Sequence, residues 1–232
     1  MAHHETHSLD GMGNDHERLS YWSKLNAKRL FNKQFQSFAH YGFLREPGHA
    51  VTSETYSPLH QLGKLVSDSE EVQRGHLTIL LVNGGVPIAS QLYEIFPMRH
   101  YRVASNLNLG HLRNCIPEVA SDWYMLADVE VGRETEGMSP REAVAWLKER
   151  GRTPFNLREG ISLVVCTRGE FAGRVISLPG SIYQRDHIPY LGIRKNEVSS
   201  EVVVHLSFSR PDKLHVGWGV PSYSRRIVPP TN

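Results

Sequence analysis

Seven consecutive residues, His76-Leu77-Thr78-Ile79-Leu80-Leu81-Val82, set the terms for the rest of the chain, because they lack the polar alternation of a half-buried strand. A continuous β-prone apolar run is what a strand covered on both faces looks like, so layers must lie on each side of it. Asn83-Gly84-Gly85-Val86 breaks the run, and Pro87 stands at the first helical position, where a missing N–H does least harm. Ile88, Leu92 and Ile95 then share one helical face, so a strand–turn–helix unit is predicted. Backbone N–H groups of Gly84 and Gly85, at the entrance to that helix, could hold an anion or simply close a tight connection.

Before this unit, residues 1–16 are rich in His, Gly and Asp and poor in apolar side chains, and a disordered tail is expected. His3, His4 and His7 belong to that tail and are not counted as a metal site. Residues 17–45 read as a helical arm: Trp22 follows Leu19 by three residues, and Phe31, Phe35 and Phe38 fall at i, i+4 and i+7. So aromatic a stripe needs cover, either from the chain's own domain or from a protein partner or second copy docking on Trp22, Phe31, Phe35 and Phe38. Residues 46–57 read as a linker, and a single domain is expected over 58–232, opening on a short helix with Leu59, Leu62 and Val66 on one face.

Residues 97–122 show no lasting period. From Trp123 to Val131 the chain alternates, with Trp123, Met125, Ala127, Val129 and Val131 on one face and Tyr124, Leu126, Asp128 and Glu130 on the other. Two compact helices are then predicted. Ser139 and Pro140 open the first and Gly151 closes it; Asn156 opens the second, with Glu159 placed for a capping box. His187–Ile193 reads as a strand. Val204, Leu206 and Phe208 alternate with polar residues, Arg210-Pro211-Asp212-Lys213 reads as a turn, and Leu214, Val216 and Trp218 resume the alternation. A C-terminal β-hairpin pairing 208 with 214, 206 with 216 and 204 with 218 puts all six large side chains on one face. The fold class expected is α+β: a mixed sheet with that hairpin and about five helices, preceded by the helical N-terminal arm.

The net charge of +2 argues against bulk nucleic-acid binding. The charge is uneven: residues 1–139 carry 12 Lys and Arg against 16 Asp and Glu, whereas residues 140–232 carry 14 against 8, a hint that any anionic partner would meet the second half. Cys115 and Cys166 are too far apart for a C-x-x-C site and read as free thiols of a reducing compartment. No signal sequence opens the chain, and no apolar run approaches the ~20 residues a membrane span needs, so a cytoplasmic location is expected.

No P-loop, H-E-x-x-H, G-x-S-x-G or G-x-G-x-x-G signature is present, so no catalytic residue or cofactor is assigned. Asp128 and Glu130, two apart on one strand face, could bind a divalent cation or work as acid and base; the alternative is an ion pair with Arg133 or Arg152. His205 and His215 make an incomplete metal set, and Ser181 sits in a turn six residues before His187. The functional expectation is a non-enzymatic binding or protein-interaction module, the alternative being a small-molecule or metal-dependent enzyme centred on Asp128 and Glu130.

Three segments carry a resemblance. They are Tyr124-Met125-Leu126-Ala127-Asp128-Val129-Glu130-Val131-Gly132-Arg133-Glu134; Ser139-Pro140-Arg141-Glu142-Ala143 with Gly151-Arg152-Thr153-Pro154-Phe155-Asn156-Leu157-Arg158-Glu159-Gly160; and Leu178-Pro179-Gly180-Ser181 with Ile188-Pro189-Tyr190-Leu191-Gly192-Ile193 and a late Gly217-Trp218. Together they resemble an uncharacterised bacterial, largely actinobacterial, family built on a domain of unknown function, best over residues 120–195 with a fainter echo at 77–87. Val216-Gly217-Trp218-Gly219-Val220-Pro221 departs from that family's Trp- and Cys-rich pattern. The resemblance implies a fold and a compartment but no catalytic residue.

Overall fold

A computed structural model describes residues 25–40, 53–66, 76–95, 102–103, 108–167, 173–195 and 202–230. Its helices are α1 (Ala27–His40), α2 (Ser53–Leu65), α3 (Ile88–Ile95), α4 (Pro140–Glu149) and α5 (Leu157–Thr167). Strands β1 (Leu77–Asn83), β2 (Arg102–Val103), β3 (Leu112–Asn114), β4 (Trp123–Val129), β5 (Thr153–Pro154) and β6 (Val175–Ser177) come first. They are followed by β7 (Ser181–Tyr183), β8 (Ile188–Lys195), β9 (Val202–Ser209), β10 (Trp218–Gly219), β11 (Ser222–Tyr223) and β12 (Arg225–Ile227). The predicted 1–16 tail and Trp22 lie outside the described residues. Five helices and mixed sheets among the described residues make the fold α+β, as expected.

The apolar run is β1, and all seven of its residues are buried. It pairs antiparallel with β4, which pairs with β12 on its other side, giving a three-stranded sheet with β1 at one edge. An edge strand buried in protein needs something to satisfy its outward N–H and C=O groups. Gln34 of α1 does so: its side-chain amide donates to the Ile79 carbonyl at 2.9 Å and accepts from the Leu81 N–H at 2.7 Å. Phe38, also on α1, meets Trp123 of β4 edge-to-face at 5.1 Å, and Leu30 and Phe31 are buried in the same core. The chain's own core therefore covers Phe31 and Phe38, with Phe31 beside Gly63 of α2, while Phe35 packs partly buried against the same core. Helix α2 starts at Ser53, inside the stretch read as a linker, and lays Leu59 and Leu62 into the core.

Helix α5 touches both β1 and β8, and ten of its eleven residues are buried, so it is a central layer rather than a one-sided surface helix. Gly160 permits its close approach to the turn after β6, since a Cβ there would press into the side chain of Leu178 at 2.7 Å. The second sheet has the order β10-β6-β8-β9-β2, antiparallel through β6, β8 and β9, with parallel partners at both edges. Leu191, Ile193, Val204 and Leu206 form its inner face.

Two expectations about strands change. The C-terminal hairpin is β8–β9, running from Ile188↔Ser209 to Lys195↔Val202, not a pairing of 202–208 with 214–218. Residues 210–217 instead form a turn-rich loop, with Leu214 and Val216 56% and 92% exposed, and Trp218 joins β6 in parallel. Alternation is what a half-buried strand requires, but three alternating residues do not by themselves make a strand or say which strand would lie beside it. The face expected to turn acidic at Asp128 and Glu130 is also absent: β4 is the middle strand of its sheet and is buried on both faces up to Asp128. Asp128 has φ 53°, outside the strand region, so the alternation ends there.

Candidate functional site

Asp128 and Glu130 do not form one acidic site. Asp128 faces two cations: its carboxylate meets His76 Nδ1 at 2.6 Å and Arg152 Nη1 at 2.5 Å. Arg152, directly after the αL residue Gly151, also donates to the Asp128 carbonyl and to the hydroxyl and carbonyl of Ser222. His76 Nε2 lies 3.3 Å from Glu134, so both ring nitrogens are engaged by carboxylates. Burial pushes the His76 pKa down, but the hydrogen bond and charge of Asp128 outweigh it and the net shift is upward. Burial raises the Asp128 pKa, and the bonds from His76 and Arg152 reverse that, leaving it lowered. This is an ion-paired knot in which neither imidazole nitrogen is left to act as a base.

Glu130 turns the other way and is itself 2% exposed. Its carboxylate accepts the backbone N–H groups of Gly132 at 2.9 Å and Arg133 at 2.6 Å. Burial raises its pKa further than those N–H groups lower it. Arg133 thus enters through its backbone, while Arg152 is the arginine that meets Asp128. Among the described residues, no group of three or more His, Cys, Asp or Glu side chains is placed to hold a metal ion.

The glycine turn does not present an anion site either. Gly84 and Gly85 both donate their N–H groups to the Asp122 carbonyl, at 2.6 and 3.1 Å, and Val86 donates to the side chain of Asn83. A Cβ on Gly84 would run into the Ser121 carbonyl, so the residue is needed for this close approach. The Ser181 hydroxyl is likewise committed: it accepts the Leu157 N–H at the start of α5 and donates to Asn114, both at 3.0 Å. His205 is exposed on the outer face of the second sheet, and His215 stacks on Trp218 with its Nε2 2.8 Å from the Ser209 hydroxyl.

A cleft of about 560 Å³ opens beside that turn. Pro87, Ile88 and Ala89 at the start of α3 form one wall, and Leu109, Leu112, Arg113 and Asn114 form another. Glu118 and Arg158 complete the lining. Arg158, on the first turn of α5, donates through Nη1 to the carbonyls of Asn83 at 3.1 Å and Val86 at 2.6 Å. Glu118 accepts from the Asn114 amide at 2.8 Å.

Glu159 lies next to Arg158 in sequence but points into the core, fully buried. It forms the predicted capping box with Asn156, pairs with Arg226 at 2.9 Å and accepts from Tyr124 at 3.4 Å. Burial pushes its pKa up to about 7 against the pull of Arg226. A carboxyl whose folded pKa is raised takes up a proton on folding, so its contribution to stability is fully present below 4.5 and is lost as pH rises towards 7. Glu159→Gln is therefore expected to flatten the wild-type decline in Tm over that window. An unchanged slope in a melting series across it would show that Glu159 does not titrate there.

Sequence reading missed the cleft because Arg113, Asn114 and Glu118 fall in the stretch without a period, and nothing local joins them to Arg158. His76 was visible only as the first residue of a strand. The two quoted motifs do meet in space, Arg152 on Asp128 and Glu159 on Tyr124. Comparison with known families bears on that same region. Residues 64–173 match a family of unknown function, DUF5701. The DUF5701 match spans just under half of the chain. It contains His76, Asp128, Arg152, Arg158 and Glu159, but ends before Ser222 and Arg226, which complete the two clusters. It starts well ahead of the predicted 120–195 core of the resemblance and stops short of its end. No curated protein and no solved structure matches the chain.

Proposed function

We propose that the protein is a non-enzymatic binding module whose ligand is a small molecule seated in the cleft beside the Gly84–Gly85 turn. The observation that carries this reading is the cleft itself, whose volume lies in the range of about 300–1,000 Å³ usual for small-molecule sites and whose walls mix apolar and charged side chains. The enzyme alternative at Asp128 and Glu130 is weaker, since one carboxylate is held by Arg152 and His76 and the other by backbone N–H groups. Mass spectrometry of small molecules released from the natively purified protein tests the proposal, with Leu112→Trp filling the cleft as the control. A compound carried by wild type, lost in the variant and recovered chemically unchanged is the expected result. A compound retained equally by Leu112→Trp, or one converted on incubation with the protein, would overturn it.

A further inference from the structure

Resting on that reading, we infer that the cleft is built for an amphipathic oxyanion: a small molecule with a carboxylate or phosphate head held by Arg158 and Arg113 and a short apolar body against Ile88, Leu109 and Leu112.

Arg158 is only partly exposed and is fixed in place by the two carbonyls that its Nη1 binds. A guanidinium in that setting needs a counter-charge, because desolvating a cation without one is costly. Yet Arg158 makes no ion pair among the described residues, and neither does Arg113. Glu118 and Glu159 attract Arg158 without contacting it: Glu159 pairs with Arg226, and Glu118 takes a hydrogen bond from the Asn114 amide. Two arginines against one carboxylate leave the lining with an excess positive charge. Arg is also the side chain whose planar fork matches a carboxylate or phosphate. Five of the nine lining residues (Pro87, Ile88, Ala89, Leu109 and Leu112) are apolar, so a bare inorganic anion would leave that side of the cleft unfilled.

Calorimetric titration at low ionic strength with hexanoate, hexyl phosphate and hexanol tests this. Hexanoate or hexyl phosphate is expected to bind at least about tenfold tighter than hexanol, as a charge-assisted contact implies, and the order of the two anions tells carboxylate from phosphate. Arg113→Gln, on an exposed side chain, should weaken the anion by about fivefold or more while leaving hexanol and the melting temperature unchanged. Arg158→Lys keeps the charge if Arg158→Gln fails to fold, and should weaken the anion but not the alcohol. Hexanol binding as tightly as the anions, or anion binding indifferent to both arginine variants, overturns the inference while leaving the cleft as a binding site. If none of the three probes binds, or if all bind Leu112→Trp as they bind wild type, the binding-module reading falls and this inference with it.

Discussion

Deleting residues 1–45 is expected to unfold the protein rather than to turn a dimer into a monomer. Helix α1 contributes more than an aromatic stripe. Gln34 closes the backbone of the edge strand β1 at Ile79 and Leu81, and without it a buried N–H and C=O lose their partners, at about 1–3 kcal/mol for each unsatisfied group. Leu30 and Phe38 are fully or almost fully buried, and Phe38 packs its edge on Trp123. Phe38→Ala alone should cost about 3–5 kcal/mol, the usual range for removing a buried aromatic ring. Set against a typical total of about 5–15 kcal/mol, losses of this size consume most of what holds such a domain folded. Urea denaturation followed by circular dichroism would measure the single substitution, and the same spectra would report whether 46–232 folds. A cooperative, wild-type-like melt of 46–232, with a halved mass by light scattering, would instead show that α1 is an interaction arm.

The elements that sequence made legible are those whose signal is local. The β1 run, the Ser139 cap, the Asn156 capping box and the helix stop at Gly151 all depend on residues close in sequence, and all occur where they were predicted. Partner choice was not legible. The 214–218 alternation looked like a strand mate for 202–208, but β8 supplies eight paired residues to β9 and leaves Val216 in solvent. Gln34 illustrates the same limit from the other side: nothing in a helix sequence announces that one polar residue on its inner face is there to pair with a strand edge. At the candidate site, the spacing of Asp128 and Glu130 implied a shared face, and the positive φ of Asp128 removed it. The cleft was invisible because its charged residues come from the unpatterned stretch before β4 and from the first turn of α5.

Arg152→Met is the substitution expected to do most damage outside the apolar core, about 3–5 kcal/mol, as found when one partner of a buried ion pair is removed. The side chain of Arg152 is 7% exposed and binds the Asp128 carboxylate, the Asp128 carbonyl and both oxygens of Ser222, so one methionine leaves four acceptors short of a donor. It also leaves Asp128, held at φ 53°, with only His76 as its counter-ion. Asp128→Asn should be milder, since Asn tolerates the αL region and keeps hydrogen-bonding capacity. It removes the charge that raises the His76 pKa, so the ring should titrate at lower pH in the variant than in wild type. The pH dependence follows from the two shifts. His76, raised above 6.5, contributes stability that is complete below 6.5 and is lost as pH climbs through its folded value. Asp128, lowered below 3.8, contributes above 3.8 and is lost as pH falls through its folded value. The cluster is therefore strongest between about pH 4 and 6.5, the window bounded by the ordinary carboxylate and imidazole values. NMR titration of the His76 ring in wild type and Asp128→Asn reads the coupling directly, and denaturant melts of Arg152→Met across the same range read its contribution to stability. Added Mg²⁺ or Mn²⁺ should leave the wild-type melting temperature unchanged, because the charge opposite Asp128 is already the guanidinium of Arg152. A divalent-ion shift abolished by Asp128→Asn would instead mean that the carboxylate leaves Arg152 for a metal, and the knot would then be a binding site after all.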